Sequence, residues 1–286
     1  MTLKVFLLIL TAAVCHALWN YAVRKVTGNL LILWLALWAG LIMLLPILVG
    51  TLLLREMHTL YQPSAAWCVI ASGVVHALYF ILLARAYEYG ELSLVYPLAR
   101  GSGIGLAALM AWVVLRETIS FYGACGIFLI CAGVFLLGVR MSRTGDSGKG
   151  YFFALSVGLC ISLYSLIDKV GVGRMHPVLY MWCMVFLATM LLSPWVLRTQ
   201  RDRITGTAMS HAPAILLIGG GSLGTYLMIL FALTMAPVSY IVAVREFAVV
   251  AGAFLGFVFL REKITVPKVT AIVLITAGLV LIKTGG

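Results

Sequence analysis

Two arginines lie deep inside apolar segments of this sequence, at matching positions. Arg100 lies in the segment 92–117, and Arg245 follows 145 positions later in an equally apolar segment. A charge in hydrocarbon is costly, so a buried arginine in such a segment is a hypothesis about function. The guanidinium group is a planar, permanently charged fork that suits carboxylate or phosphonate oxygens. The pair therefore predicts a symmetric internal site for an anionic group.

Further polar side chains cluster on single helical faces. His16, Trp19 and Asn20 follow i, i+3, i+4 spacing, which places them on one face of a helix. In so apolar a chain these groups should face the bundle interior or a wet cavity, because lipid offers them no partner. The residues predicted to contact a bound molecule are Arg100, Arg245, Glu246, Tyr96, His16, Trp19, Asn20, His76, Tyr79, Tyr164 and Tyr226.

Four residues are candidates for proton coupling. His16 and His76 can carry a proton near neutral pH, and Glu246 and Asp168 are carboxylates inside apolar segments. Alternatives stay open for each of them. The histidines could be hydrogen-bonded packing residues, Glu246 could lock an arginine internally, and Asp168 could pair with Lys169 at a helix end.

The segment around Arg100 is predicted to bend. Pro97 removes a backbone donor and kinks its helix, and Gly101 lies one turn further on. We therefore predict a hinge at Pro97 and Gly101. The matching positions of the later segment hold Val242 and Glu246, so the two segments are not expected to move alike.

The composition places nearly the whole chain in a membrane. Of 286 residues, 63% are apolar and 10% are charged, and the mean hydropathy is +1.12. A soluble domain carries about 25% charged residues. The net charge of +11 could suggest nucleic acid, but Lys and Arg lie mostly in short connections, where they fix topology and contact anionic lipid headgroups. We expect contacts with membrane lipid and none with nucleic acid.

Ten apolar segments are each long enough to cross a membrane as a helix, which takes about 20 residues. They cover residues 3–23, 30–54, 64–86, 92–115, 119–139, 151–169, 176–197, 212–234, 238–260 and 264–283. The segments do not alternate apolar and polar residues as the strands of a membrane barrel do. The sequence thus predicts an all-α integral membrane protein with ten transmembrane helices.

The ten segments form five helices written twice. Leu115-Arg116-Glu117 and Leu260-Arg261-Glu262 end matching segments at the same offset as the two arginines, and we interpret both as anchors at the membrane interface. The predicted repeats cover 1–140 and 151–286, with a polar, glycine-bearing linker at 141–150. Because five is odd, the second repeat is inverted. Inverted repeats are typical of secondary transporters, which bind substrate near the midplane between the halves.

The distribution of Lys and Arg predicts an orientation. Six cations lie on the side of the termini and eleven on the other side. The positive-inside rule then places the termini outside the cytoplasm.

The sequence contains no HExxH, P-loop or nucleophile-elbow motif. The six cysteines lie within predicted spans without a CxxC pair, so we interpret them as small buried apolar residues. We expect no metal site, no cofactor and no enzymatic activity. Any uphill transport would have to draw on an ion or substrate gradient.

Several short stretches carry a resemblance to a known family. They are His16–Asn20, Leu92–Gly101 and Leu115–Glu117 in the first half, and Asp168–Gly171, Pro237–Tyr240, Arg245–Glu246 and Leu260–Glu262 in the second. With them the chain resembles the drug/metabolite transporter superfamily in its ten-helix EamA-type form, over essentially its whole length. The resemblance implies transport of small solutes, including export of amino acids and other metabolites. It also implies cytoplasmic termini, in conflict with the charge distribution.

Residues and resemblance together predict a secondary transporter of the bacterial inner membrane. It would export a small amphipathic metabolite, an amino acid or related organic anion or zwitterion, by alternating access. Its partners would be this small-molecule substrate, membrane lipid and protons, and it would act as a monomer or homodimer. The alternatives are uptake of an organic anion such as a phosphonate, a pump for cationic drugs, and a membrane-embedded enzyme or scaffold.

Overall fold

The computed structural model describes residues 1–23, 29–54, 60–90, 92–139, 148–260 and 265–285. These residues form twelve α-helices and one 3-10 helix, Arg201–Arg203. The α-helices are α1 Leu3–Val23, α2 Leu30–Leu54, α3 Ala65–Tyr89, α4 Leu92–Val114, α5 Phe121–Val139, α6 Gly148–Val172, α7 Pro177–Thr199, α8 Ile204–Ser210, α9 Ala212–Leu233, α10 Val238–Val244, α11 Phe247–Leu260 and α12 Val266–Gly285.

The helices reproduce the predicted spans. Within the described ranges, nine stretches are long and apolar enough to cross a membrane, with α10 and α11 forming one span, and α5 adds a shorter apolar helix. The prediction of an all-α protein with ten membrane-spanning helices is confirmed. α6 begins at Gly148, inside the linker predicted at 141–150, and residues 140–147 of that region lie outside the described part of the chain.

The helices of the two halves interleave. α3 of the first half packs on α6 and α7 of the second half, and α9 of the second packs on α1 and α2 of the first. α4 packs on α6, and α11 packs on α1. We divide these helices into two mixed groups, the α1 group (α1, α2, α9, α10, α11) and the α6 group (α3, α4, α6, α7). α2 packs on α7 and α10 packs on α4 where the two groups meet. α5 and α12 pack against each other as a further pair.

Glycines allow the closest crossings between helices. α2 crosses α9 where a Cβ on Gly219 would lie 2.5 Å from the carbonyl oxygen of Ala36. α5 crosses α12 where a Cβ on Gly278 would lie 2.5 Å from the carbonyl oxygen of Gly126. Both are contacts with backbone atoms, so a larger side chain would force the helices apart.

The ninth span is broken at its interior. α10 ends at Val244 and α11 begins at Phe247. Across the break the N–H groups of Glu246, Ala248 and Val249 donate to carbonyl oxygens three residues earlier, at 3.0, 3.2 and 2.9 Å. This 3-10 geometry winds the chain more tightly than an α-helix and often marks a functional position. It presents Arg245 and Glu246 at the centre of the span.

α4, the matching span of the first half, is continuous from Leu92 to Val114. It contains Pro97 and Gly101 without interruption of the helix. The hinge proposed at these two residues therefore stays a prediction. The break in the ninth span, by contrast, has neither proline nor glycine to mark it in the sequence.

Both termini lie on one side of the bundle, where the Lys283 Nζ donates to the carbonyl oxygen of Met1 at 3.4 Å. We call this the terminal side. Here Glu117 caps α10: its carboxylate accepts from the N–H of Val238 at 2.7 Å, the N–H of Ser239 at 3.2 Å and the Ser239 hydroxyl at 2.8 Å. Glu117 thus binds the start of another helix, and its position at the membrane interface stays a prediction. Its repeat counterpart Glu262 lies outside the described residues.

Candidate functional site

A cavity of about 280 Å³ lies inside the bundle, between the α1 group and the α6 group. Polar side chains from α1, α3, α6 and α9 meet there with the two arginines. The predicted contact residues on its wall are Arg100, Arg245, His16, Trp19, Asn20, His76, Tyr79, Tyr164 and Tyr226. The structure thus brings together side chains that are far apart in the sequence.

Two predicted contact residues are not described on the wall. Glu246 is 1% exposed and lies behind Arg100, with which it pairs. Tyr96 belongs to α4, but its side chain lies outside the described part of the chain. Asp168, a candidate for proton coupling, is fully buried behind the wall.

Arg100 is held by Glu246 in a two-point ion pair. The Arg100 Nε donates to the Glu246 Oε2 at 3.0 Å, and its Nη2 lies 2.5 Å from the Oε1. The pair joins α4 to the break between α10 and α11, the two segments that the repeat relates. The Glu246 carboxylate thus neutralises the charge of Arg100, and both of its oxygens contact that guanidinium group.

Arg245 is 9% exposed, and its Nε and Nη2 have no hydrogen-bond partner among the described residues. The buried Trp19 Nε1 also lacks a partner in that part of the chain. Buried donors are almost always satisfied by protein, water or ligand, because leaving them unpaired is costly. Both residues line the cavity, so an acceptor placed there could satisfy them.

Aromatic rings form one side of the cavity. The His76 ring stacks on Tyr164 with centroids 4.3 Å apart and meets Tyr226 edge-on at 5.6 Å. Tyr79 meets Tyr164 edge-on at 5.8 Å. Such rings offer an apolar surface with polar tips, which suits an amphipathic molecule.

The cavity extends away from the terminal side. Asn29 and Leu30 at the start of α2, and Leu83 and Tyr87 near the end of α3, belong to its wall. Asn29 is exposed, and the other three are half-buried. Towards the terminal side, in contrast, the wall is backed by buried hydrogen bonds. In the part of the chain that the structure describes, the cavity wall thus reaches an exposed residue on the side opposite the termini and buried contacts on the terminal side.

The backing hydrogen bonds centre on Asp168. Its Oδ1 accepts from the hydroxyls of Ser72 and Tyr180, the latter at 2.7 Å, and its Oδ2 accepts from the Tyr226 hydroxyl. Hydrogen bonds to a charged group contribute about 1.5–3 kcal/mol each. The alternative of an Asp168–Lys169 pair at a helix end is wrong.

Lys169 points elsewhere, to the end of α9. Its Nζ donates to the carbonyl oxygens of Leu233 at 2.6 Å and Ala236 at 2.8 Å. A cation is favourable at this end of a helix, where the last carbonyl groups lack helical partners.

Sequence reasoning missed the part of the wall that α2 and α7 supply. These wall residues are Leu33, Leu37, Met184, Val185 and Ala188. They carry no polar signal, because an apolar residue facing a cavity has the same type as one facing lipid. Among the described residues, His, Cys, Asp and Glu side chains form no group of three that could hold a metal ion.

The sequence profile of the EamA-like transporter family matches this chain twice, over residues 3–139 and 148–284. The chain belongs to the EamA-like transporter family. The double match shows the two repeats, and it confirms the prediction of an EamA-type member of the drug/metabolite transporter superfamily. The members of this family are transporters.

Two individual proteins are also similar to this chain. The multidrug transporter EmrE of Escherichia coli (strain K12) is 27% identical over 78 residues, which are 27% of this chain and 71% of EmrE. A protein crystal structure with 19% sequence identity matches 98% of this chain and 96% of its own chain, with a TM-score of 0.74. At that identity the structural match shows the fold alone.

Proposed function

We propose that this EamA-like transporter carries a small amphipathic metabolite with an anionic group, such as an amino acid or related organic anion, across the bacterial inner membrane. The observation that carries the proposal is the buried Arg245, whose Nε and Nη2 have no partner among the described residues. A carboxylate would accept from both nitrogens as a two-point pair. The apolar part of the substrate would lie on Tyr164, Tyr226 and Tyr79.

Transport would proceed by alternating access. The cavity lies between the α1 group and the α6 group, so these mixed groups, rather than the two halves of the sequence, would move against each other. The proposed direction is export, which rests on the resemblance to exporters of amino acids and metabolites. Uptake of an organic anion such as a phosphonate would use the same Arg245 donors in the opposite direction.

Drug efflux is the second candidate, because EmrE is a multidrug transporter. An organic cation would need a carboxylate on the cavity wall. The described wall contains two arginines and neither Asp nor Glu, and Glu246 is already paired with Arg100. The charge of the site therefore favours an anion over a cation.

The test is a binding screen of amino acids, carboxylates, phosphonates and organic cations, followed by flux of the best ligand in proteoliposomes. We expect Arg245→Ala to weaken binding of the anion by about 2–5 kcal/mol, or roughly 30- to 5,000-fold. Arg245→Lys should recover only part of this, because lysine keeps the charge but not the fork.

The matched control is Arg85→Ala on the exposed surface of α3, where Arg85 pairs with Glu88. This variant should bind and transport like the wild type. Wild-type affinity for the anion in Arg245→Ala, or a screen in which only organic cations bind, would contradict the proposal.

A further inference from the structure

We propose that Asp168 is the proton-binding site of this transporter and that its protonation releases the closed terminal side; the coupling to transport rests on the function proposed above. The carboxylate lies one layer behind the cavity wall, on α6, and is fully buried. It contacts hydroxyls from α3, α7 and α9. A carboxylate buried in a membrane span is costly, so its presence there is a hypothesis about function.

The partners of Asp168 are suited to both of its protonation states. Among the described residues it forms no salt bridge, and its acceptors are filled by Ser72, Tyr180 and Tyr226. A hydroxyl can donate to a carboxylate and can also accept from a carboxylic acid by turning its O–H bond. Glu246, in contrast, is held by the permanently charged Arg100 fork. A proton on His16 or His76 would share the cavity with two guanidinium groups.

Tyr226 provides the route from the cavity. It lines the cavity, and its hydroxyl donates to the Asp168 Oδ2. In the proposed step the Tyr226 O–H bond breaks as its proton passes to Oδ2, and a proton from hydronium in the cavity forms a new O–H bond on the Tyr226 oxygen. Hydronium becomes water and the aspartate becomes a neutral acid, so one proton enters and no other bond changes.

The Asp168–Tyr226 bond also joins the two moving groups. Asp168, Ser72 and Tyr180 belong to the α6 group, whereas Tyr226 belongs to the α1 group. A hydrogen bond to an ionised carboxylate is roughly twice as strong as one between neutral partners. Protonation therefore weakens the contact that holds the groups together on the terminal side. Once they separate, Asp168 meets water on that side and releases its proton there.

Two neighbouring contacts cross between the same groups. Lys169 on α6 donates to the end of α9, and Glu117 after α4 caps the start of α10. These and the Asp168–Tyr226 bond are the terminal-side contacts. All three hold the α9–α10 region of the α1 group against the α6 group, so release of one weakens the closure that the others share.

Other titratable or charged side chains surround the Asp168 site. From the elements packed against α6 these are Cys68 and His76 on α3, Tyr180 on α7 and Tyr226 on α9, and Arg174 follows α6 near Cys68. Arg100 and Arg245 are the charged groups of the cavity wall. His76 is the one in this set that ordinarily titrates near neutral pH, and its Nδ1 lies 3.2 Å from the Ser72 Oγ. The test must therefore read the carboxyl group itself.

Infrared spectroscopy provides that reading without any substrate. With the full chain in lipid bilayers, acidification from about pH 8 to pH 4 should give the wild type the C=O stretch of a buried protonated carboxyl, separate from the band of the exposed carboxyls that titrate near pH 4. Asp168→Asn should lose this band. Asp202→Asn should keep it, because Asp202 lies exposed in the 3-10 helix. The same band in Asp168→Asn and in the wild type would overturn the proton site.

Transport assays measure the coupling between proton binding at Asp168 and ligand accumulation. In proteoliposomes, a pH gradient should drive wild-type accumulation of the ligand found in the binding screen, and Asp202→Asn should behave alike. Asp168→Asn should keep ligand exchange at equal pH and lose accumulation by the gradient. Gradient-driven accumulation by Asp168→Asn would overturn the coupling. A wild type that moves no anion would refute the proposed function, while the infrared result would still decide the proton site.

If Asp168→Asn does not fold, Ser72→Ala provides a second test of the proton site. This variant removes one of three donors to the carboxyl group and lies off the cavity wall. It should change the pH at which the carboxyl band appears, because a donor to the ionised form is lost. An unchanged titration in Ser72→Ala would contradict the assignment of the band to Asp168.

Discussion

The two arginines show how much a residue's role depends on one partner. They stand at matching positions of the repeat, yet Arg100 is paired with Glu246, while two Arg245 nitrogens have no partner among the described residues. The difference arises because the glutamate follows Arg245 and has no counterpart after Arg100, where the sequence has Gly101. The one carboxylate pairs with Arg100 and not, among the described residues, with Arg245; in the proposed function Arg245 binds the anionic group of the substrate.

The two arginines should accordingly respond differently to mutation. Arg100→Met leaves the buried Glu246 charge unpaired and should cost about 3–5 kcal/mol of unfolding free energy. The double variant Arg100→Met with Glu246→Leu should recover most of this loss. Unfolding by titration with a denaturing detergent would measure both.

Arg245→Met provides the contrast for these variants. It removes no ion pair among the described residues, so it should lower stability far less than Arg100→Met while weakening anion binding as Arg245→Ala does. Equal losses of stability in Arg100→Met and Arg245→Met would show that the two arginines are not distinguished by Glu246.

At the scale of elements, contacts between helix ends hold the terminal side closed. Just after α4 ends at Val114, Arg116 has a φ of 55°, a left-handed conformation that reverses the chain. The Glu117 N–H donates back to the Ala111 carbonyl oxygen at 3.1 Å. This turn directs the Glu117 carboxylate to the start of α10. The negative charge is favourable there, because the first N–H groups of a helix lack helical partners.

Glu117→Gln tests the cap. The neutral amide keeps one acceptor oxygen and loses the charge, so we expect a loss of about 1–2 kcal/mol in unfolding free energy. The matched control is Glu88→Gln, which affects an exposed pair with Arg85 and should change stability by less than about 0.5 kcal/mol. If the unfolding free energies of Glu117→Gln and Glu88→Gln were equal, the Glu117 cap would not stabilise the closed terminal side.

At the scale of the whole molecule, the transporter is built from mixed groups of helices. Each group combines helices from both repeats, and the cavity lies where the groups meet. The terminal-side contacts close one end, and the wall residues Asn29 and Tyr87 lie towards the other. Access should therefore come from the side opposite the termini in this state.

Cysteine labelling can measure this access in a chain freed of its six native cysteines. Leu33→Cys on the cavity wall should react with a membrane-impermeant maleimide added opposite the termini and not from the terminal side. Val74→Cys is the control on the outer surface of α3, where the side chain is 48% exposed on the bundle and faces lipid in a membrane, and it should stay unlabelled from both sides. Labelling of Leu33→Cys only from the terminal side would refute the assigned open side.

The sequence alone determined the ten helices and the repeat, and it predicted polar wall residues such as Arg100, Arg245 and His76 but not Asn29 or Tyr87. Lipid acts on each residue separately, so apolar length predicts the spans and a polar side chain such as His76 or Trp19 must point inward. The tertiary structure decided the interleaving of the halves and the break before α11. It also decided the pairing of Arg100 rather than Arg245 with Glu246, and the burial of Asp168 among Ser72, Tyr180 and Tyr226. These features depend on contacts between residues far apart in the chain. Hydropathy and residue spacing describe one helix at a time, so they do not predict which distant helix that helix will pack against.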